Sequence, residues 1–131
     1  MSNIIHIAAA LLLDGKGRTL LVRKRGTTAF MQPGGKIDGH EQPVEALVRE
    51  LHEELGLVVD PQLLQFLGTF NAPAANEPGH EVRCELFAVR IEDAVEPAAE
   101  IEEAQWVDAA EARHLQLAPL TRDEILPRYF Y

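Results

Sequence analysis

Three glutamates set the chemical question. Glu50, Glu53 and Glu54 stand at i, i+3 and i+4, so in a helix all three project from one face. Like charges one turn apart destabilise a bare helix; such a cluster therefore faces water or holds a cation. Mg²⁺ and Mn²⁺ favour oxygen ligands, and Mg²⁺ binds through a few carboxylates together with substrate phosphates. Just ahead lies Pro33-Gly34-Gly35, where Gly35, lacking a Cβ, lets its backbone approach a ligand closely. These residues read as a divalent-metal site. The five histidines, His6, His40, His52, His80 and His114, show no zinc-ligand spacing and read as surface or locally satisfied residues.

The element that must carry the carboxylates is an amphipathic helix over 43–55. Val44, Leu47, Val48, Leu51 and Leu55 form its apolar stripe. Pro43 suits the first turn and Gly56 the position past the end. Ahead of it, apolar runs over 4–13 and 18–24 flank Asp14-Gly15-Lys16-Gly17 and predict a hairpin. The first run is almost wholly apolar, as for a strand covered on both faces. Phe30-Met31-Gln32 reads as a short extended piece. After Asp60-Pro61, residues 63–70 predict a strand, Asn71–His80 an exposed loop, 81–91 a long strand and 101–107 a last strand. Within 81–91, Val82, Cys84, Leu86 and Ala88 alternate inward. Asp108 with Glu111 predicts a capped helix to about Leu115; Thr121 with Glu124 predicts a capping box for a final helix near 122–126, stopped by Pro127. Strands and helices alternating in this way predict an α/β fold on a mixed sheet.

The chain of 131 residues predicts one domain, 1–131, with a real core. Its net charge of −9 argues against a nucleic-acid polymer as partner. Residues 1–49 carry seven Lys+Arg and four Asp+Glu, so the rest of the chain holds most of the acid. Cys84 is the single cysteine, so no internal disulfide forms and a buried structural thiol is expected. The N-terminal apolar run lacks a positive n-region and is too short to span a membrane; no membrane partner and a cytoplasmic location are expected.

The stretch resembles the signature of the Nudix hydrolases, the MutT-type pyrophosphohydrolases. Gly35 is followed by five residues, Glu41, seven residues, then Arg49-Glu50-Leu51-His52-Glu53-Glu54-Leu55-Gly56-Leu57. One departure is visible: relatives commonly place glycine directly before the first box glutamate, whereas this chain reads Gly39-His40-Glu41. The resemblance implies a Nudix α/β/α sandwich, with the box helix on one side and the C-terminal helix on the other. It implies Mg²⁺- or Mn²⁺-dependent cleavage of a pyrophosphate bond in a nucleotide, as monomer or homodimer. A (deoxy)nucleoside triphosphate is the first expectation. ADP-ribose, a dinucleoside polyphosphate and a non-catalytic nucleotide sensor are the alternatives.

The resemblance further implies Glu53 and Glu54 as main metal ligands, Glu50 as ligand or base, and Glu41 with the Gly35 carbonyl completing the shell. Arg49 would hold the glutamates by a forked hydrogen bond. A further glutamate ahead of the last strand often serves as ligand or base in this family. Glu100, six residues before Trp106, fits that place, with Glu77, Glu81, Glu102 and Glu103 as competitors. Arg23, Arg25 and Lys36 are candidates for meeting phosphates, or else are strand-end charges. Phe30 is a candidate base-stacking residue, or else core. Pro73, sixteen positions past Leu57, stands roughly where ADP-ribose-cleaving relatives carry a proline.

Overall fold

The computed structural model describes residues 3–131. Six strands form one mixed sheet in the order β4-β5-β1-β2-β6, with β3 paired to β1 beside this path. They are β1 (Ile4–Leu13), β2 (Thr19–Lys24), β3 (Gly34–Lys36), β4 (Gln65–Pro73), β5 (Glu81–Arg90) and β6 (Ile101–Val107). β1 and β5 run parallel along their whole length, from Ile4 opposite Glu81 to Leu13 opposite Arg90. A parallel pair at the centre of a sheet needs cover on both faces, and the apolar run of β1 meets that demand.

Helix α1 (Pro43–Leu55) covers one face. Leu47, Leu51 and Leu55 pack there on Ala8, Ala10, Leu12, Phe87 and Val89. The opposite face carries Ala9, Leu11, Cys84 and Leu86 under Leu120 and Ile125 of the C-terminal segment. A third cluster joins Leu21, Phe30 and Val107 to Ala112, Leu117 and Leu126. The expected sandwich is therefore present, and α1 has the bounds its stripe and its flanking Pro43 and Gly56 predict. Gly56 takes the left-handed conformation at φ 68 and closes the helix with its N–H on the His52 carbonyl.

Several boundaries differ from expectation. Residues Pro61–Leu63 form a 3₁₀ turn, because the Asp60 side chain accepts from the Gln62 N–H and caps it; β4 starts after it. β4 then runs through Asn71-Ala72-Pro73, which pair with Arg83, Val82 and Glu81. The exposed loop is correspondingly shorter, and Pro73 is tolerated because β4 is an edge strand. α2 (Ala109–Arg113) has the expected reciprocal cap, with Glu111 N–H donating to Asp108 at 2.8 Å, but stops before Leu115.

The C-terminal segment departs most. Thr121 caps nothing: it is buried, and its hydroxyl donates to Gln32 Oε1 at 2.7 Å. The chain instead makes a π-helical stretch over Leu120–Ile125 that leads into α3 (Leu126–Tyr129). Pro127 does not end a helix here. It sits in the first turn of α3, where its missing N–H has no helical partner to lose. Among the described residues, no helix is long and apolar enough to cross a membrane.

Candidate active site

The site forms where α1 crosses β3. Gly34 and Gly35 of β3 pair with Ala9 and Ala8 of β1, which brings the glycine turn under the carboxylate face of α1. Both glycines are required for the approach. Gly34 has φ 150, and a Cβ there would collide with the Ala8 carbonyl. A Cβ on Gly35 would lie 2.5 Å from the Glu50 carboxyl carbon, so that carboxylate rests directly on the glycine backbone.

The three glutamates of the helix do not share one environment. Glu53 is half exposed, at 52%. Glu50 is partly buried, and burial raises its pKa despite Arg49. Glu54 is 2% exposed. Its place three residues after Leu51 and seven after Leu47 turns it towards the sheet. The Gly34 N–H donates to its Oε1 at 3.4 Å. Burial pushes the Glu54 pKa up to about 8, and the Glu50 charge adds to this. A buried carboxylate beside another carboxylate is costly unless a cation compensates it.

Lys24 offsets a little of the Glu54 cost, while Arg49 serves the other carboxylates. Its Nε donates to Glu41 Oε2 at 2.8 Å and its second terminal nitrogen to Glu41 Oε1 at 2.9 Å, a two-armed pair. The other arm donates to Glu50 Oε1 at 2.9 Å and reaches Glu53 at 3.5 Å. The guanidinium also donates to the Lys36 carbonyl at 3.2 Å and lies 3.4 Å from Asp38. These bonds hold the Glu41 carboxyl down at about 2. The displaced glycine of the box serves the turn: Gly39 has positive φ, and the Glu41 N–H closes on the Asp38 carbonyl.

Glu100 reaches the same place from the far end of the chain. The connector before β6 docks on the exposed carbonyls at the end of α1: Glu96 N–H donates to Leu55 and Ala98 N–H to Glu54. Ala99 then takes φ 55, a left-handed turn rare for a non-glycine residue. Glu100 follows, 3.5 Å from Lys24 Nζ, and its charge is felt by both Glu50 and Glu54. The competitors sit otherwise. Glu102 and Glu103 pair with Arg25 and Arg23. Glu77 lies 4.0 Å from Lys36 Nζ, and Glu81 starts β5 away from the cluster.

A groove of about 340 Å³ opens beside these residues, lined by Lys24, Arg25, Lys36, Gly34, Gly35 and Glu100 among others. The shortened loop contributes Ala74, Ala75, Asn76 and Glu77 to its rim. Two expectations for the substrate side are corrected here. Phe30 is 7% exposed and packs in the third core cluster, tied to Leu117, so its ring is unavailable for stacking. Arg23 is spent on Glu103 and the Thr27 carbonyl and does not line the groove. Lys24 and Gln32 do line it and were not singled out from the sequence. Lys24 looked like one more charge at a strand end. Gln32 read only as part of a short extended piece, and nothing in its residue type marks it as buried.

Among the described residues, no three carboxylate, imidazole or thiol groups already stand close enough to cage a metal ion. The donor set nonetheless suits a hard divalent cation: it is all oxygen, and Glu54 is a buried carboxylate whose cost a cation would relieve.

Comparison with known proteins bears on the family and the fold. The family model described as NUDIX domain matches residues 5–129. An ADP-ribose pyrophosphatase of Methanocaldococcus jannaschii is 27% identical over 109 residues, covering 79% of this chain and 63% of that protein. An 8-oxo-dGTP diphosphatase of Haemophilus influenzae is 41% identical over 60 residues, covering 43% of this chain and 44% of that protein. The chain thus spans less than two thirds of the length of either relative. The crystal structure of a MutT protein from Methanosarcina mazei superposes with a TM-score of 0.79 at 23% identity, covering 97% of this chain and 93% of that one; this likeness speaks to the fold.

Proposed function

The chain belongs to the NUDIX family, and from that premise we propose that it hydrolyses the pyrophosphate bond of a nucleoside diphosphate linked to another group. A (deoxy)nucleoside triphosphate is the first candidate, with Mg²⁺ or Mn²⁺ as cofactor. The observation that carries this reading is Glu54. It is a carboxylate buried beside Glu50 that accepts the Gly34 N–H, and Gly34 lines a groove that also carries Lys24, Arg25 and Lys36.

In this reading Glu50, Glu53, Glu54, Glu41 and the Gly35 carbonyl would hold the metal. When bound, such an ion neutralises phosphate charge and acidifies water. The chain's own residues do the rest. Arg49 keeps Glu41 ionised and orients Glu41 and Glu50 through its fork. Lys24, Arg25 and Lys36 receive phosphate oxygens along the groove. Glu53, exposed at the cluster's edge, or Glu100, across the groove, accepts the proton of the attacking water. Pyrophosphate-bond cleavage then leaves a phosphate that the same cations stabilise.

ADP-ribose is the second reading. It is favoured by the similarity to the Methanocaldococcus protein over most of the chain and by Pro73, which lines the apolar end of the groove. A release assay for phosphate and pyrophosphate separates the two, run with Mg²⁺ or Mn²⁺ over nucleoside triphosphates, ADP-ribose, nucleotide sugars and dinucleoside polyphosphates. Turnover of a triphosphate above ADP-ribose is expected. No turnover of any of them by folded protein would leave a nucleotide-sensing domain instead.

A further inference from the structure

Glu100 reaches the groove through a turn that its residue types do not favour. The connector ahead of it is fastened to the end of α1, and one of the bonds, from the Ala98 N–H at 2.8 Å, lands on the backbone carbonyl of Glu54 itself. The Ile101 N–H then closes on the Ala98 carbonyl at 3.1 Å, so residues 98–101 make a four-residue turn with Ala99 and Glu100 at its centre. From the other side the Arg25 N–H donates to the Glu100 carbonyl at 2.8 Å. Ala99 takes φ 55 and is, among the described residues, the one non-glycine residue with positive φ. A Cβ makes that conformation costly. Such a residue persists only where its surroundings over-determine it, and residues of this kind gather at functional sites. A second irregularity adjoins the turn. Arg23 stands opposite Glu103 but Lys24 opposite Ile101, so Glu102 is the extra residue of a β-bulge. Strict alternation from Ala104 would send Glu102 to the cluster beneath α1. The bulge gives that place to Ile101, which is 3% exposed, and leaves Glu102 to pair with Arg25.

We propose that Ala99 is a positioning residue: its left-handed backbone, anchored to the Glu54 carbonyl on one side and to β2 on the other, aims the Glu100 carboxylate at the α1 carboxylates across the groove. Side-chain contacts are too weak to do this. The Glu100 side chain is 62% exposed and its partner is Lys24, at 3.5 Å; an exposed pair of this kind contributes little. Glu50 and Glu54 repel it, so an unanchored Glu100 would swing out to solvent. The backbone bonds hold it instead, and they hold it only while Ala99 keeps its positive φ. A negative φ at that position changes the direction of the turn and carries Glu100 away from Lys24. Because Ala98 is bonded to the Glu54 backbone, the separation between these two acidic residues is set before any substrate binds. This deepens the hydrolase reading, on which it rests for the part Glu100 takes in turnover.

The test is a double-mutant cycle joined to a structure. Ala99→Pro fixes φ at about −65°, Ala99→Val penalises positive φ, and Ala99→Gly accepts it freely. Each is made alone and together with Glu100→Gln, and turnover is measured with Mg²⁺. Alone, the proline and valine variants are expected to lose about tenfold or more in kcat with KM held within about twofold; Ala99→Gly is expected to keep the original rate. In the Glu100→Gln background none of the three is expected to matter further. Equal losses in both backgrounds, the mark of a merely structural role, overturn the proposal. Crystal structures read the position without turnover. Ala99→Val, and Ala99→Pro if it folds, is expected to move the Glu100 carboxylate away from Lys24 with α1 in place, while Ala99→Gly leaves it there. An unmoved Glu100 in the valine variant overturns the proposal whatever the rates. A displaced Glu100 in a protein that turns over none of the nucleotides would sink the enzymatic reading and leave the positioning role standing.

Discussion

Arg49 grips Glu41 with two parallel bonds of 2.8 and 2.9 Å while its remaining arm holds Glu50 at 2.9 Å. One guanidinium thus ties the loop glutamate to the helix glutamates. Lysine cannot reproduce that fork. Arg49→Lys is expected to lower activity and weaken Mg²⁺ dependence about 10–100-fold, the usual effect of losing a partner that orients ligands. Mg²⁺ titration of kcat checks it; wild-type Mg²⁺ dependence in the variant would show that the fork orients nothing.

Glu53 and Glu54 should respond differently to the same change. Glu53 is half exposed, so Glu53→Gln should lose about 10²-fold or more in kcat with an unchanged Tm. Glu54 is buried with its pKa pushed up, so Glu54→Gln should lose activity and leave the metal-free protein as stable or more stable. Calorimetry without metal, beside a rate assay with it, reads both. A large Tm loss in metal-free Glu54→Gln would show that the carboxylate is structural.

The two site glycines separate stability from function. A Cβ at Gly34 meets backbone, the Ala8 carbonyl, at a φ that side chains avoid. Gly34→Ala should cost about 1–3 kcal/mol, or several degrees in Tm. A Cβ at Gly35 meets only the end of the Glu50 side chain, which can swing away. Gly35→Ala should keep its Tm within about a degree or two and lose activity as Glu50 leaves its place. Equal Tm losses in both would refute this account.

Cys84 lies in the second cluster with no exposure. Burial, with the Glu85 charge beside it, pushes its thiol up to about 12, so thiolate is scarce at neutral pH. Iodoacetamide at pH 8 should leave the native protein unlabelled and modify it fully in guanidinium. Rapid native labelling would mean that the β1–β5 centre opens readily.

Much of this was legible beforehand because it is local. Helix α1 is specified by Pro43, its apolar stripe and Gly56, all within one short stretch. β1 announced a doubly covered strand through its unbroken apolar run. The C-terminal segment misled for the opposite reason. Thr121 and Glu124 have capping spacing, but the Thr121 hydroxyl finds Gln32, a residue 89 positions away. The connector before β6 gave no sign that it would fasten to the end of α1, because backbone-to-backbone bonds leave no trace in residue type. Phe30 was ambiguous between core and ligand until Leu117 was seen beside it.

By itself the sequence determined the helix, the glycine turn ahead of it and the family to which the spacing belongs, since these depend on residues close together in the chain. Only the tertiary structure decided which glutamate is buried, that Glu100 returns to face the others, and that Gln32 is buried against Thr121. Those facts depend on desolvation and on partners brought from distant strands, and neither quantity exists until the chain has packed.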